Sequence, residues 1–227
     1  MTPTDSLATA PEIRAHLLEV FNRALRSSGE FGGEVALHLL IRHLLFVERR
    51  PEAVFAEQRR VWKDSEAFRP NGVTGFYREL IPELDCKDAM ASVYAEFAQR
   101  CGWLQSDRLL TADAYEALKG SVRQWAGEDR TWADVTAMFG DPSVLFGGTN
   151  PLYGKTLGYL SEDMGQPMVV FHLWNGSARG SAAWPPEHEQ PLLLAVRFGE
   201  GPFRQSFTFT PEGERRRLET VHPLQVE

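Results

Sequence analysis

The stretch TWADVTAMFGDPS, residues 131–143, is where the chain changes its period. Thr131 stands at an N-cap position with Asp134 three residues on, a capping box with a shortened acid. Val135, Met138 and Phe139 form a helical stripe, Gly140 suits the position after the helix, and Pro142 blocks its continuation. Beyond Pro142 the apolar spacing falls from 3.6 to 2. In PMVVFHLWN, residues 167–175, Val169, Phe171 and Leu173 share one face, while Met168, Val170, His172 and Trp174 share the other. Strands are expected over 155–161, 167–175, 191–199 and 203–210, with turns at 162–166 and 199–202 and a long loop at 176–190.

Upstream the punctuation is helical. Pro11 opens one run and Ser27-Ser28-Gly29 stops it. Gly32-Gly33 precedes a second, 34–49, apolar on most sides and expected to run through the core. Further helices are expected from Pro51 to Phe68, over 75–80, over 85–101 with Met90, Val93, Tyr94 and Phe97 on one face, and from the Thr111 cap to Trp125. The fold class is therefore α+β: an N-terminal all-helical region, then a helix and a three- to four-stranded antiparallel β-meander. The expected divisions are a flexible leader (1–10), a helical region (11–127), an α+β meander region (128–210) and a charged tail (211–227). The middle two are either separate domains or parts of one core.

A chain of 227 residues, 43% apolar and 24% charged, has ordinary globular composition. Its net charge is −7, so nucleic acid is disfavoured as a partner. The first residues lack a basic segment followed by an apolar one, and no apolar stretch is long enough for a bilayer, so a cytoplasmic location without a membrane partner is expected. Cys86 and Cys101, on one expected helix, would stand roughly 22 Å apart, too far for a disulfide.

Gly148 to Gly154-Lys155-Thr156 has five intervening residues where a P-loop has four, and it leads into a strand where a P-loop opens a helix. His38 and His43 lie about 140° apart around a helix, so they do not form an i, i+4 metal-binding pair. No nucleophile elbow or zinc-deaminase pattern is present. No metal, cofactor or catalytic residue is expected.

One surface stands out in this reading. In 191–199, Leu192, Leu194, Val196 and Phe198 alternate with Leu193, Ala195 and Arg197. In 203–210, Phe203, Gln205, Phe207 and Phe209 alternate with Arg204, Ser206 and Thr208. If the apolar sets pack on helices, the opposite sheet face carries His172, Trp174, Arg197 and Arg204, joined by Lys155 and Tyr159 from the first strand. Trp184 in the long loop is expected to join them by folding over that face. Aromatic side chains with arginines between them are the composition of a binding surface.

Residues 112–210 resemble the small ααβββ module of bacterial outer-membrane-assembly lipoproteins. The resemblance rests on Thr131-Trp132-Ala133-Asp134-Val135, on Phe139-Gly140-Asp141-Pro142-Ser143, and on a following Tyr-containing strand. It implies a fold for the C-terminal half and nothing about location or role. The function expected is non-catalytic binding of another protein, of the immunity or adaptor type, through the sheet face. The alternative is a small-ligand-binding protein or enzyme with a pocket between the sheet and the 176–190 loop, using His172 as acid and base.

Overall fold

The computed structural model describes residues 7–81, 84, 86–176, 186–199 and 201–218. Seven helices come first: α1 (Ala10–Arg26), α2 (Gly33–Val47), α3 (Ala53–Asp64), α4 (Gly72–Leu80), α5 (Cys86–Cys101), α6 (Ala112–Trp125) and α7 (Trp132–Phe139). The strands β1 (Val144–Phe146), β2 (Lys155–Tyr159), β3 (Val169–Trp174), β4 (Leu192–Arg197) and β5 (Phe207–Phe209) follow. A 3-10 turn, Phe203–Ser206, precedes β5, and α8 (Pro211–Leu218) comes last. The α+β class holds, and the strands pair in chain order as one antiparallel meander. The meander has five strands where three or four were expected, because Val144–Phe146 is too short to show a period in sequence.

Local chemistry accounts for the ends. Thr131 and Asp134 form the capping box of α7, and Gly140, at φ +74°, follows the helix. Glu34 caps a remote helix: its carboxylate accepts from Val73 N (2.8 Å) and Thr74 N (3.0 Å) at the start of α4. Gly72, just before them, has φ +78°, the left-handed region that favours glycine, and the same carboxylate lies where a Cβ would project.

Both faces of the sheet are covered. Met168, Val170, Trp174 and Leu194 join α1–α5 in one apolar cluster. Leu157, Tyr159, Phe171 and Val196 join α6 and α7 in another. The first cluster draws on residues either side of 127, so the sheet is the middle layer between two helical layers. At the centre, α5 is buried nearly all round, where one buried face was expected.

Three expectations are corrected here. Helix α2 does not run through the core: Leu37, Ile41 and Leu44 are buried, but Val35, Leu39 and Phe46 are 79%, 53% and 83% exposed. The charged tail is not all tail, since residues 211–218 form α8, packed against β4. Strict alternation fails in β4. Its pairing with β3 runs from His172↔Ala195 to Leu173↔Leu193, leaving Leu194 as an extra residue. This bulge puts Leu194 in the same cluster as its neighbour Ala195.

Candidate functional site

The residues expected on an open sheet face divide into three groups, and the face itself is closed. His172 (0% exposed), Arg197 (5%) and Trp174 (5%) do share one side of the sheet, but α4 and α5 cover it. Lys155 and Tyr159 point to the opposite side. Tyr159 packs with α7, its hydroxyl donating to Gly140 O at 2.8 Å. Lys155 lies 3.8 Å over the Trp132 ring and donates to Asn150 O (2.8 Å) and Gly148 O (3.2 Å). Of the expected set among the described residues only Arg204 is exposed. It stands on the 3-10 turn, over Phe76. Trp184 lies outside the described residues. The helical layers supply the physical reason: the face is polar at His172 and Arg197, yet apolar enough around them to be core.

The polar groups on that buried side satisfy one another in part. Arg197 Nη1 contacts both Glu96 oxygens (3.1 and 3.2 Å), and its guanidinium lies 5.1 Å over Phe203. His172 Nδ1 is 3.3 Å from Thr156 Oγ1, and its Nε2 has no hydrogen bond. Its ring meets Tyr77 edge-on and Phe207 face-on, so Phe207 shares the side that alternation had denied it. Burial, and then the charge of Arg197, hold the His172 pKa well below the ordinary histidine value. His172, which the alternative reading makes the acid and base, is 0% exposed and lines none of the four clefts described below. Lys155 is pushed down to about 8, by burial against the opposing pull of Asp88. Its ammonium is spent on the carbonyls of its own loop. The near-match to a P-loop thus presents acceptors to a cation, the reverse of a phosphate cradle.

Trp174 is engaged within the fold. The Arg216 guanidinium lies 3.4 Å over its ring, and His188 meets it edge-on. Beside it, Asn175 closes the end of β3, donating to Leu152 O and His188 O at 2.8 Å each. A cleft of about 710 Å³ opens there, between Asp88, the 147–154 loop and Trp174. Of the loop expected to close a pocket against the sheet, residues 177–185 lie outside the described residues.

The surface that sequence reasoning missed is on α2. Val35, Leu39, Arg42 and Phe46 recur at i, i+4, i+7 and i+11 and lie exposed along one stripe. Two clefts flank it, about 430 Å³ beside Leu39, His43 and Phe46, and about 460 Å³ between α2 and α3 beside His38, Phe55 and Arg59. The Arg42–Glu52 ion pair (2.6 Å) borders both. Their walls hold Arg42, Arg50 and Arg59, two histidines and only one carboxylate, Glu52. His38 closes the inner end, 2.5 Å from Tyr94 Oη, which donates to Glu34 at 2.7 Å. Burial lowers the His38 pKa, Glu34 opposing and Arg59 adding to the effect. The signal was in the sequence: a helix apolar on both sides carries one face more than a core layer needs.

No known protein family, curated protein or solved structure matches this chain. Among the described residues no helix is long and apolar enough to cross a membrane, and no group of three or more His, Cys, Asp or Glu is placed to hold a metal ion.

Proposed function

We propose that this chain is a non-catalytic, cytoplasmic protein-binding protein of the immunity or adaptor type, and that it works through α2 in place of the sheet face. The observation that carries the reading is the exposed stripe Val35, Leu39 and Phe46 with its basic rim. Large apolar side chains contiguous on a helix and exposed by half or more are costly to keep in water unless something covers them. The rim is locally basic on a chain of net −7, so it is set against the overall charge. Arg42 is paired with Glu52 and Arg50 with Glu48 (3.5 Å), while Arg59 has no carboxylate within ion-pair distance among the described residues, so the excess of positive charge is its own. The partner element that fits is an amphipathic helix with apolar residues at i, i+4 and i+7 flanked by carboxylates. The likeness of residues 112–210 to the ααβββ lipoprotein module is proposed at the level of fold alone, supported by α6 and α7 preceding the paired strands.

The test compares wild type with a Leu39→Ser/Phe46→Ser variant, both immobilised in a lysate of the source organism. Both positions are exposed, so stability should stay within about 0.5 kcal/mol of wild type. The expected result is a partner retained by wild type alone, released by salt, whose acidic amphipathic segment binds as a synthetic peptide. Identical captures by both proteins would sink the reading. A concentration-dependent dimer of wild type, lost in the variant, would replace the partner with a second copy.

A further inference from the structure

A second cleft, about 470 Å³, lies at the far end of the sheet between α3, α5 and the β2–β3 turn, and nothing in the protein-binding reading uses it. Its charges are arranged by depth. The floor is the Arg197–Glu96 pair, internally neutral, with side chains 6% and 17% exposed. Above it, Trp62 (6% exposed) and Gln99 (7%) are almost wholly buried, yet among the described residues neither side chain has a hydrogen-bond partner, and neither polar tip is sealed from solvent. Two buried residues with spare donors and an acceptor on one cavity wall are costly unless water or a ligand meets them. At the mouth, Arg100 is held by a neutral amide, Nη2 donating to Gln58 Oε1 at 2.8 Å, and has no carboxylate within ion-pair distance among the described residues. The remaining wall is mixed, with Met164, Met168 and Val61 beside Ser65, Gln166 and Ser206.

We propose that this cleft binds a small amphipathic carboxylate that carries an uncharged amide. Arg100 takes the carboxylate at the mouth. Trp62 Nε1–H and the Gln99 amide pair with the neutral polar group, where a second charge would find no counter-ion. The two methionines, whose flexible thioethers adapt to irregular shapes, cover the apolar body. An N-acyl amino acid has these three parts in this order.

The probe is N-acetyl-L-leucine, titrated into the full chain and followed by the Trp62 indole N–H resonance, assigned with Trp62→Phe. The expected dissociation constant is between about 10 μM and 1 mM, as suits a ligand of this size. N-acetyl-L-leucinamide, without the charge, and 4-methylpentanoate, without the amide, should each bind roughly 10-fold or more weakly. Arg100→Gln, at an exposed position, should weaken N-acetyl-L-leucine by about 10-fold while the spectrum otherwise stays that of the wild type. Gln99→Leu should weaken it as well. Absence of any shift at about 10 mM, or equal affinity in Arg100→Gln, would overturn the proposal.

Discussion

His172 and Arg197 show what a polar residue costs when helices close over it. His172 faces Thr156, Tyr77, Phe207 and Arg197, with no acid among them. Its pKa in the fold is depressed, so the unfolded chain takes up the proton first. Stability held at neutral pH therefore falls as pH drops below about 6.5, the value for an unfolded histidine. Urea midpoints measured between pH 7.5 and 5 should decline less steeply in His172→Gln than in wild type. An identical decline would remove His172 as the source, leaving His38, whose shift has the same sign. The Arg197–Glu96 pair has a different signature. Arg197→Met should cost about 2–3 kcal/mol, because it strands a carboxylate, Glu96, that is only 17% exposed. Arg197→Met/Glu96→Leu should recover most of that loss. Chemical denaturation of the two variants measures the difference, and a double variant as unstable as the single one would contradict the account.

At the scale of elements, the bulge in β4 organises the C-terminus. The carbonyl of the extra residue, Leu194, accepts from Thr210 N at 3.0 Å, and Thr210 Oγ1 donates to Leu193 O at 2.6 Å. Thr210 thereby anchors the start of α8, where Gly213 N donates to its hydroxyl. Gly213 lies so close to the Leu194 carbonyl that a Cβ would overlap it. Gly213→Ala should therefore destabilise by roughly 1–3 kcal/mol despite the better helix propensity of alanine. Hydrogen exchange should speed up first in α8 and β4. Unchanged exchange in both would mean that α8 shifts without loss. Helix α2 illustrates the other side of element-level reasoning: one apolar stripe anchors it and the other remains in water.

Over the whole molecule, the sheet joins what the chain lays down separately. One apolar cluster runs from Phe21 in α1 through α5 to Leu194 in β4, and the other joins α6 to β3. Neither half can bury its share of the sheet alone. Urea unfolding followed by far-UV and near-UV circular dichroism should give one coincident transition. Residues 1–127 and 128–227 expressed separately should both lack a cooperative transition. A folded fragment of either kind would show two independent cores. The three clefts assigned to partners border the first cluster, two along α2 and one at the end of the sheet, with Leu45, Phe55, Trp62, Val93 and Met168 contributing to their walls.

The change of period at Pro142, the capping of α7, the run of helices before it and the parity of β3 are all legible in the residues. Each depends on neighbours within a few positions, and helices and strands repeat on that length scale. The tertiary structure decided the rest. One extra residue at Leu194 broke the alternation of β4, and the β4–β5 register, with Phe207 opposite Arg197, put Phe207 on the side of His172. Helices tens of residues away covered the sheet face that its own alternation had left open. They also left the second apolar stripe of α2 uncovered, where composition had implied burial. Periodicity states which residues share a face. What that face meets depends on elements distant in sequence, and the packed layers alone settle whether Arg197 ends in solvent or beneath α5, and whether Phe46 ends in the core or in water.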